Sequence, residues 1–135
     1  MTRVLLSLSL ALAAAAGLTL APAGAQSTGV YSAAQAATGA GAYAASCAAC
    51  HGVHLEGIAG PSLAGDAFLA RWTGKTASDL NDFVSALMPQ DNPGSLKPDE
   101  YLALLAFILQ QNKYPAGPSA LTAAKLKTVK LAKQK

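Results

Sequence analysis

The chain has 135 residues, 52% of them hydrophobic and 13% charged, with a formal net charge of +3 at pH 7. This length rules out a multidomain enzyme, and clustered apolar residues with so few charges argue against disorder. Without residues 1–25, which read as a leader, 110 residues remain with 28 large apolar side chains and 23 alanines. Such a core is thin, because a chain near this size is already marginal in the surface it can bury. Alanine forms helix readily but fills little volume, so a further body in the interior is expected.

In chain order, Met1–Thr2–Arg3 gives a short positive start, and residues 4–21 are free of charge. Ala23–Gly24–Ala25 supplies the small-x-small pattern of a signal-peptidase site, so cleavage before Gln26 and export to the periplasm are expected. An uncleaved anchor is the alternative, since the uncharged run is about long enough to span a bilayer. Pro22 and Gly24 break the helix at the junction and favour cleavage. No Cys lies near it, which excludes a lipoprotein, and no other segment is long and apolar enough to cross a membrane.

Residues 26–38 read as a loose N-terminal arm. Residues 39–50 read as a short helix with Gly39, Tyr43 and Cys47 on one face. Its end carries Cys47–Ala48–Ala49–Cys50–His51, a C-x-x-C-H run that is the attachment signature of c-type haem. Two thiols three residues apart can each add to one vinyl group of a single porphyrin. The adjacent imidazole then faces the iron as an axial ligand, its other nitrogen donating to a backbone carbonyl. A thioredoxin-like pair would sit in a strand context that is missing here. A zinc site built from Cys47, Cys50, His51 and His54 lacks the loop that separates ligand pairs. A plain disulfide suits an exported chain but leaves His51 without a role.

Residues 52–65 are rich in glycine and must be loop. Thr76-x-x-Asp79 resembles a helix start, followed by Leu80, Phe83, Val84 and Leu87 at helical spacing. That helix ends at Met88–Pro89. After the leader, Met88 is the single methionine and lies 37 residues beyond His51, far enough to wrap to the other haem face. It is therefore expected to be the second axial ligand, whereas His54, too close to His51, is expected to be a loop residue. Thioether ligation raises the potential and suits electron transfer. Asp91–Asn92–Pro93–Gly94 is a turn. Pro98 then starts a last helix to Asn112, with Asp99 and Glu100 at its positive end and Tyr101, Leu104, Leu105 and Ile108 on one face. No strand pattern, phosphate loop or catalytic triad is present.

Gly39-x-x-x-Tyr43-x-x-x-Cys47-x-x-Cys50-His51-Gly52, Gly60–Pro61-x-Leu63, Met88–Pro89 and Leu104-x-Ala106–Phe107 together resemble the class I cytochromes c over residues 36–118. Cys50-His51-Gly52-x-x-Leu55-x-Gly57, Pro93–Gly94–Ser95–Leu96, Glu100–Tyr101 and Asn112-x-Tyr114–Pro115–Ala116–Gly117 are similar to small cytochromes associated with bacterial quinoprotein dehydrogenases. The resemblance implies an all-α fold of about three to five helices wrapped around one covalently bound haem. It implies that the last helix crosses the first, bringing Phe107 against Gly39 and Tyr43. It further implies that Pro61 accepts the His51 N–H, that Leu63 packs on the haem and that Trp72 reaches a propionate, packing in the core being the alternative for Trp72. Lys97 stands where such proteins more often carry a Ser or Thr helix cap.

Five of the ten basic residues, Lys125, Lys127, Lys130, Lys133 and Lys135, fall in the last 11 positions, whereas residues 26–124 hold four basic and seven acidic ones. The body is acidic and carries a basic tail, and nucleic-acid binding is disfavoured. A solvated extension is expected for the tail. Docking to an anionic partner or membrane face is the sharper alternative, and Leu121, Leu126, Val129 and Leu131 offer a way to pin part of it down.

The expected organisation is a signal peptide over 1–25, an arm over 26–38, a cytochrome c domain over 39–118 and a basic tail over 119–135. The expected function is periplasmic single-electron transfer from a dehydrogenase to an oxidase or another cytochrome, without catalysis. One haem c would be held by Cys47 and Cys50, with His51 and Met88 on the iron. The mature form is expected to have no membrane span and to be a monomer or a subunit of a redox complex. A fixed dehydrogenase subunit, or less favourably a haem enzyme with an open sixth site, is the alternative.

Overall fold

The computed structural model describes residues 28–134, so the expected signal peptide at 1–25 and the last lysine lie outside the described residues. Five helices follow in order: α1 (Ala33–Ser46), α2 (Ala48–His51), α3 (Gly65–Trp72), α4 (Ala77–Leu87) and α5 (Pro98–Gln111). Among the described residues there is no strand beyond two isolated bridges, Tyr31 with Ala116 and Thr76 with Lys130. The fold is all-α, as expected.

The first helix begins six residues before Gly39, inside the supposed arm. Ser32 is extended and its hydroxyl accepts the Gln35 N–H at 3.2 Å, a side-chain cap that lets the alanine-rich stretch behind it form helix. The residues ahead of it are tied down rather than loose. Tyr31 is buried and donates its hydroxyl to the Tyr114 carbonyl at 2.7 Å, and the Val30 N–H reaches the Pro115 carbonyl.

Sequence patterning did not single out α3. Its eight residues bury only Phe68 and Trp72, and Ala64 at its start offers no capping side chain. The α4 start is as expected, a reciprocal capping box between Thr76 and Asp79. Leu80 and Val84 are buried, but Leu87 at the end of the stripe is half exposed. Lys97 gives α5 no capping side chain of the usual kind. Glu100 compensates by accepting the Lys97 N–H at 2.7 Å, and Pro98 at the first position needs no partner.

The interior is organised on α1 crossing α5. A Cβ on Gly39 would run into the Ala103 carbonyl, so the two backbones meet with no side chain between them. One turn on, the Tyr43 and Phe107 rings pack with centroids 5.3 Å apart. Seven α5 residues are buried, which accounts for its apolar stripe being wider than a single face.

The tail corrects the expectation of a solvated extension. Leu121, Leu126, Val129 and Leu131 are all buried, and the segment runs as a strap across the body. Its backbone satisfies donors that a helix start leaves open: Ala77 N–H reaches the Val129 carbonyl at 2.9 Å and Ser78 N–H the Leu126 carbonyl at 3.2 Å. The Gln35 side chain grips both the N–H and the carbonyl of Leu121. Apolar residues spaced along the strap outweigh the repulsion between lysines, because Lys127, Lys130 and Lys133 point to solvent.

Candidate functional site

The end of α1 and the single turn of α2 carry the C-x-x-C-H run. Cys47 N–H closes on the Tyr43 carbonyl, and the His51 and Cys50 N–H groups both turn back to the Cys47 carbonyl. Both thiols are free, Cys47 half-buried and Cys50 exposed. Burial pushes the Cys47 thiol up to about 11, with the neighbouring Cys50 adding to it.

His51 is buried, and its Nδ1 lies 2.7 Å from the Pro61 carbonyl. A carbonyl only accepts, so Nδ1 carries the proton and Nε2 is left with its lone pair available. The loop bearing Pro61 is held to the same turn: the N–H groups of Ile58, Ala59 and Gly60 all reach the Cys50 carbonyl, and that of Gly57 the His51 carbonyl. Gly60 lies flat against the imidazole, where a Cβ would come within 2.7 Å of Cε1 and 2.9 Å of Nδ1. Gly52 leaves the turn at φ +84°, a conformation that favours glycine, and the Glu56 carboxylate occupies the space of a side chain there. That carboxylate accepts the His54 N–H at 2.7 Å, and backbone N–H groups of Glu56 and His54 hold it below the usual carboxylate range. Tyr43 donates to the Gly52 carbonyl at 2.6 Å. Burial, aided by Cys47 and Glu56, pushes its hydroxyl up to about 12. His54 itself is exposed, as expected of a loop residue.

Met88 caps the C-terminus of α4 with its N–H on the Val84 carbonyl, and its peptide bond to Pro89 is cis. Its own carbonyl accepts the Tyr101 hydroxyl at 2.7 Å. Leu63 is half-buried; its N–H meets the Leu55 carbonyl and its carbonyl accepts from the Asn112 side chain at 2.9 Å. Trp72 is buried in an aromatic group, edge-on to Phe83 at 5.5 Å and tilted against Phe68. The cationic groups of Arg71 and Lys75 lie 5.8 and 5.6 Å from the indole centroid. That packing is the arrangement expected of the core alternative, and it leaves the edge beside the cations polar.

The residues present fit a haem. The donor set is two unpaired thiols, an imidazole with a committed tautomer and a thioether. Cys47, Leu63, Leu69, Phe83, Met88, Leu96 and Phe107 abut the buried core yet remain partly uncovered by protein. Among the described residues no three His, Cys, Asp or Glu side chains converge as a group for a bare metal ion.

Three residues that position this site escaped sequence reasoning. Gly60 was visible as part of Gly60–Pro61, but not its contact with the imidazole. Buried Asn112 ties the end of α5 to the Leu63–Gly65 loop through both ends of its amide, whereas the sequence marks it only as a helix end and the first residue of Asn112-x-Tyr114–Pro115–Ala116–Gly117, with no partner named. Tyr101 stands in the apolar stripe of α5 and in the Glu100–Tyr101 pair of the resemblance, and neither points to a hydroxyl held on the Met88 carbonyl.

The sequence profile of the family described as cytochrome C oxidase, cbb3-type, subunit III matches residues 34–108, from the first turn of α1 to the last of α5. The chain belongs to this family of c-type cytochromes. A cytochrome c domain binds haem and transfers electrons, so the function class expected from the C-x-x-C-H run holds at that level. Among solved structures, the sulfane dehydrogenase SoxCD from Paracoccus pantotrophus is similar, with 30% identity and a TM-score of 0.62 over 71% of this chain and 52% of that one. This cytochrome thus spans about half the length of that match. No curated protein sequence is similar enough to count as a relative. Among the described residues of the cytochrome, no helix is long and apolar enough to cross a membrane.

Proposed function

We propose that the protein is a periplasmic carrier of single electrons, taking them from a dehydrogenase and passing them to an oxidase or another cytochrome through one covalently held haem. The observation that supports this most is His51, buried in the C-x-x-C-H turn with Nδ1 committed to the Pro61 carbonyl and Nε2 free. Cys47 and Cys50 would hold the porphyrin and His51 and Met88 the iron, with Pro61, Leu63 and Trp72 around it. Bound haem supplies a one-electron iron couple whose potential the thioether raises. The chain fixes the imidazole tautomer, excludes water with Leu55, Leu63 and Trp72, and leaves the turn itself accessible. Val53 and Ile58 beside it are 69% and 72% exposed, apolar surface at the place where a redox partner would have to approach.

The mature protein is tested by optical and mass analysis. Haem that stays with the chain under denaturing conditions, a mass that starts at Gln26 and a low-spin ferric spectrum with the weak far-red band of sulfur ligation are expected. Met88→Ala should abolish that band and lower the potential. Haem extracted by acid solvent, or a high-spin native ferric form, would overturn the assignment. A second reading, a fixed subunit of a dehydrogenase complex, draws support from the similarity to SoxCD. Co-purification with a dehydrogenase at stoichiometric ratio selects it; elution as a monomer selects the carrier.

A further inference from the structure

Leu87 ends α4 and Pro98 opens α5, and the ten residues between them contain no helix. Met88 begins that segment. From Pro89 to Ser95 the chain makes a turn, with Asn92 N–H on the Pro89 carbonyl, and residues 90–95 are exposed. Little apolar burial therefore holds this part of the chain in place, and local opening is decided by a few hydrogen bonds. Two of these reach the Met88 carbonyl. The Gly94 N–H, at 3.4 Å, is long and belongs to the same segment. The Tyr101 hydroxyl, at 2.7 Å, is short and comes from α5. Tyr101 is 5% exposed and sits in the first turns of the helix that forms the centre of the core. Its ring cannot swing away without emptying that site, so the hydroxyl is a fixed point.

We infer that Tyr101 is a positioning residue for the Met88 sulfur: its hydroxyl pins the Met88 carbonyl to α5 and so sets how readily the sixth iron position opens to an external ligand. This deepens the proposed function and rests on Met88 as axial ligand. The carbonyl and the side chain leave neighbouring atoms of one residue, so a backbone held at the carbonyl holds the start of the thioether arm. Losing the hydroxyl removes a hydrogen bond of the kind worth about two- to tenfold in an opening equilibrium. An external ligand that binds only the open form gains the same factor in apparent affinity.

Tyr101→Phe removes the hydroxyl and keeps the ring. Ferric holoprotein is titrated with imidazole and followed by loss of the far-red sulfur band. The expected result is imidazole affinity raised roughly two- to tenfold, with the band still present before ligand is added. Tyr31→Phe is the control for stability alone: it too loses a buried 2.7 Å bond, to the Tyr114 carbonyl, but far along the chain from Met88. It should lower the unfolding midpoint and leave imidazole affinity unchanged. Equal affinities in the Tyr101→Phe and Tyr31→Phe proteins would overturn the inference. Should the native protein lack the band, or Met88→Ala keep it, the axial assignment itself is wrong. If Met88→Ala removes the band and Tyr101→Phe then adds nothing in that background, the hydroxyl acts through Met88, as argued.

Discussion

Two glycines of α1 provide a controlled test of the α1–α5 crossing. Gly39 and Gly41 lie two residues apart inside the same 14-residue helix, so Ala at either gains about 0.5–1 kcal/mol of helix propensity. Their surroundings differ completely. A Cβ at Gly41 meets nothing within 4 Å, whereas one at Gly39 strikes the Ala103 carbonyl and lies 3.0 Å from the Leu104 nitrogen. The obstacle is backbone inside a helix and cannot rotate aside, so the helices must separate. Forcing an extra methyl into a packed contact costs about 1–3 kcal/mol, and this contact belongs at the top of that range or beyond.

The expected gap between the two variants is therefore about 3 kcal/mol, with Gly41→Ala above the native protein and Gly39→Ala about 2 kcal/mol below it. For a domain of this size the gap amounts to roughly 10–20 °C in Tm. Urea unfolding of the holoprotein, followed by far-UV circular dichroism, reads it directly, provided the m-values agree. A Gly39→Ala midpoint equal to that of Gly41→Ala would refute the close crossing. The same crossing carries Cys47 at the end of one helix and Tyr101 at the start of the other, so its spacing also sets the frame of the haem site.

Leu131→Ala should cost about 2–5 kcal/mol in urea unfolding, because the strap is part of the core, whereas Lys127→Gln should stay within about 0.5 kcal/mol; equal small effects would restore a solvated tail. Docking by the strap is better tested with Lys127→Gln and Lys130→Gln than by deleting residues 124–135, since the deletion also removes Leu126, Val129 and Leu131 from the core. Gly60→Ala should displace the imidazole and give a mixed-spin ferric spectrum; an unchanged spectrum would mean that the ring has room to move. Tyr43 stays neutral to about pH 12 when folded but ionises near pH 10 when unfolded, so the unfolded chain releases a proton first and stability falls between those values. Urea midpoints of Tyr43→Phe should therefore fall less steeply over that window than those of the native protein.

What the sequence disclosed depended on the range over which each feature is encoded. The C-x-x-C-H turn, the Thr76–Asp79 box and the Pro98 start are local chemistry, and all are where the residues put them. The helix crossing came from Gly39, Tyr43 and Phe107 through the family resemblance, not from periodicity. Where patterning failed, the deciding partner was distant. Ser32 starts α1 early, but what fixes the arm is Tyr31 reaching 83 residues to Tyr114. The strap looked solvated because its lysines dominate the composition, whereas its four aliphatic residues matter only once α1 and α4 offer a surface. Asn112 and Tyr101 act on carbonyls of other segments, and nothing in their own neighbourhood announces it.

The lean core divides in two. One half is complete without a cofactor: α1 and α5 in backbone contact, with Ala36, Ala103 and Ala106 buried, and the strap burying Leu121, Leu126, Val129 and Leu131. The other half is a set of apolar side chains left partly uncovered, Leu63, Leu69, Phe83, Met88 and Leu96 among them. These lie on the loop after His51, on α3, on α4 and on the segment beyond it. A porphyrin would cover what they leave exposed; without it about 25 cal/mol per Å² of that burial is missing. A chain with Cys47→Ala and Cys50→Ala, which cannot hold haem covalently, should therefore lose structure unevenly. Amide exchange is the measure: protection should persist in α1, α5 and the strap and collapse across residues 52–64 and 88–97. Uniform protection would show that the polypeptide core suffices alone, and uniform exchange would show that the two halves form one cooperative unit around the haem.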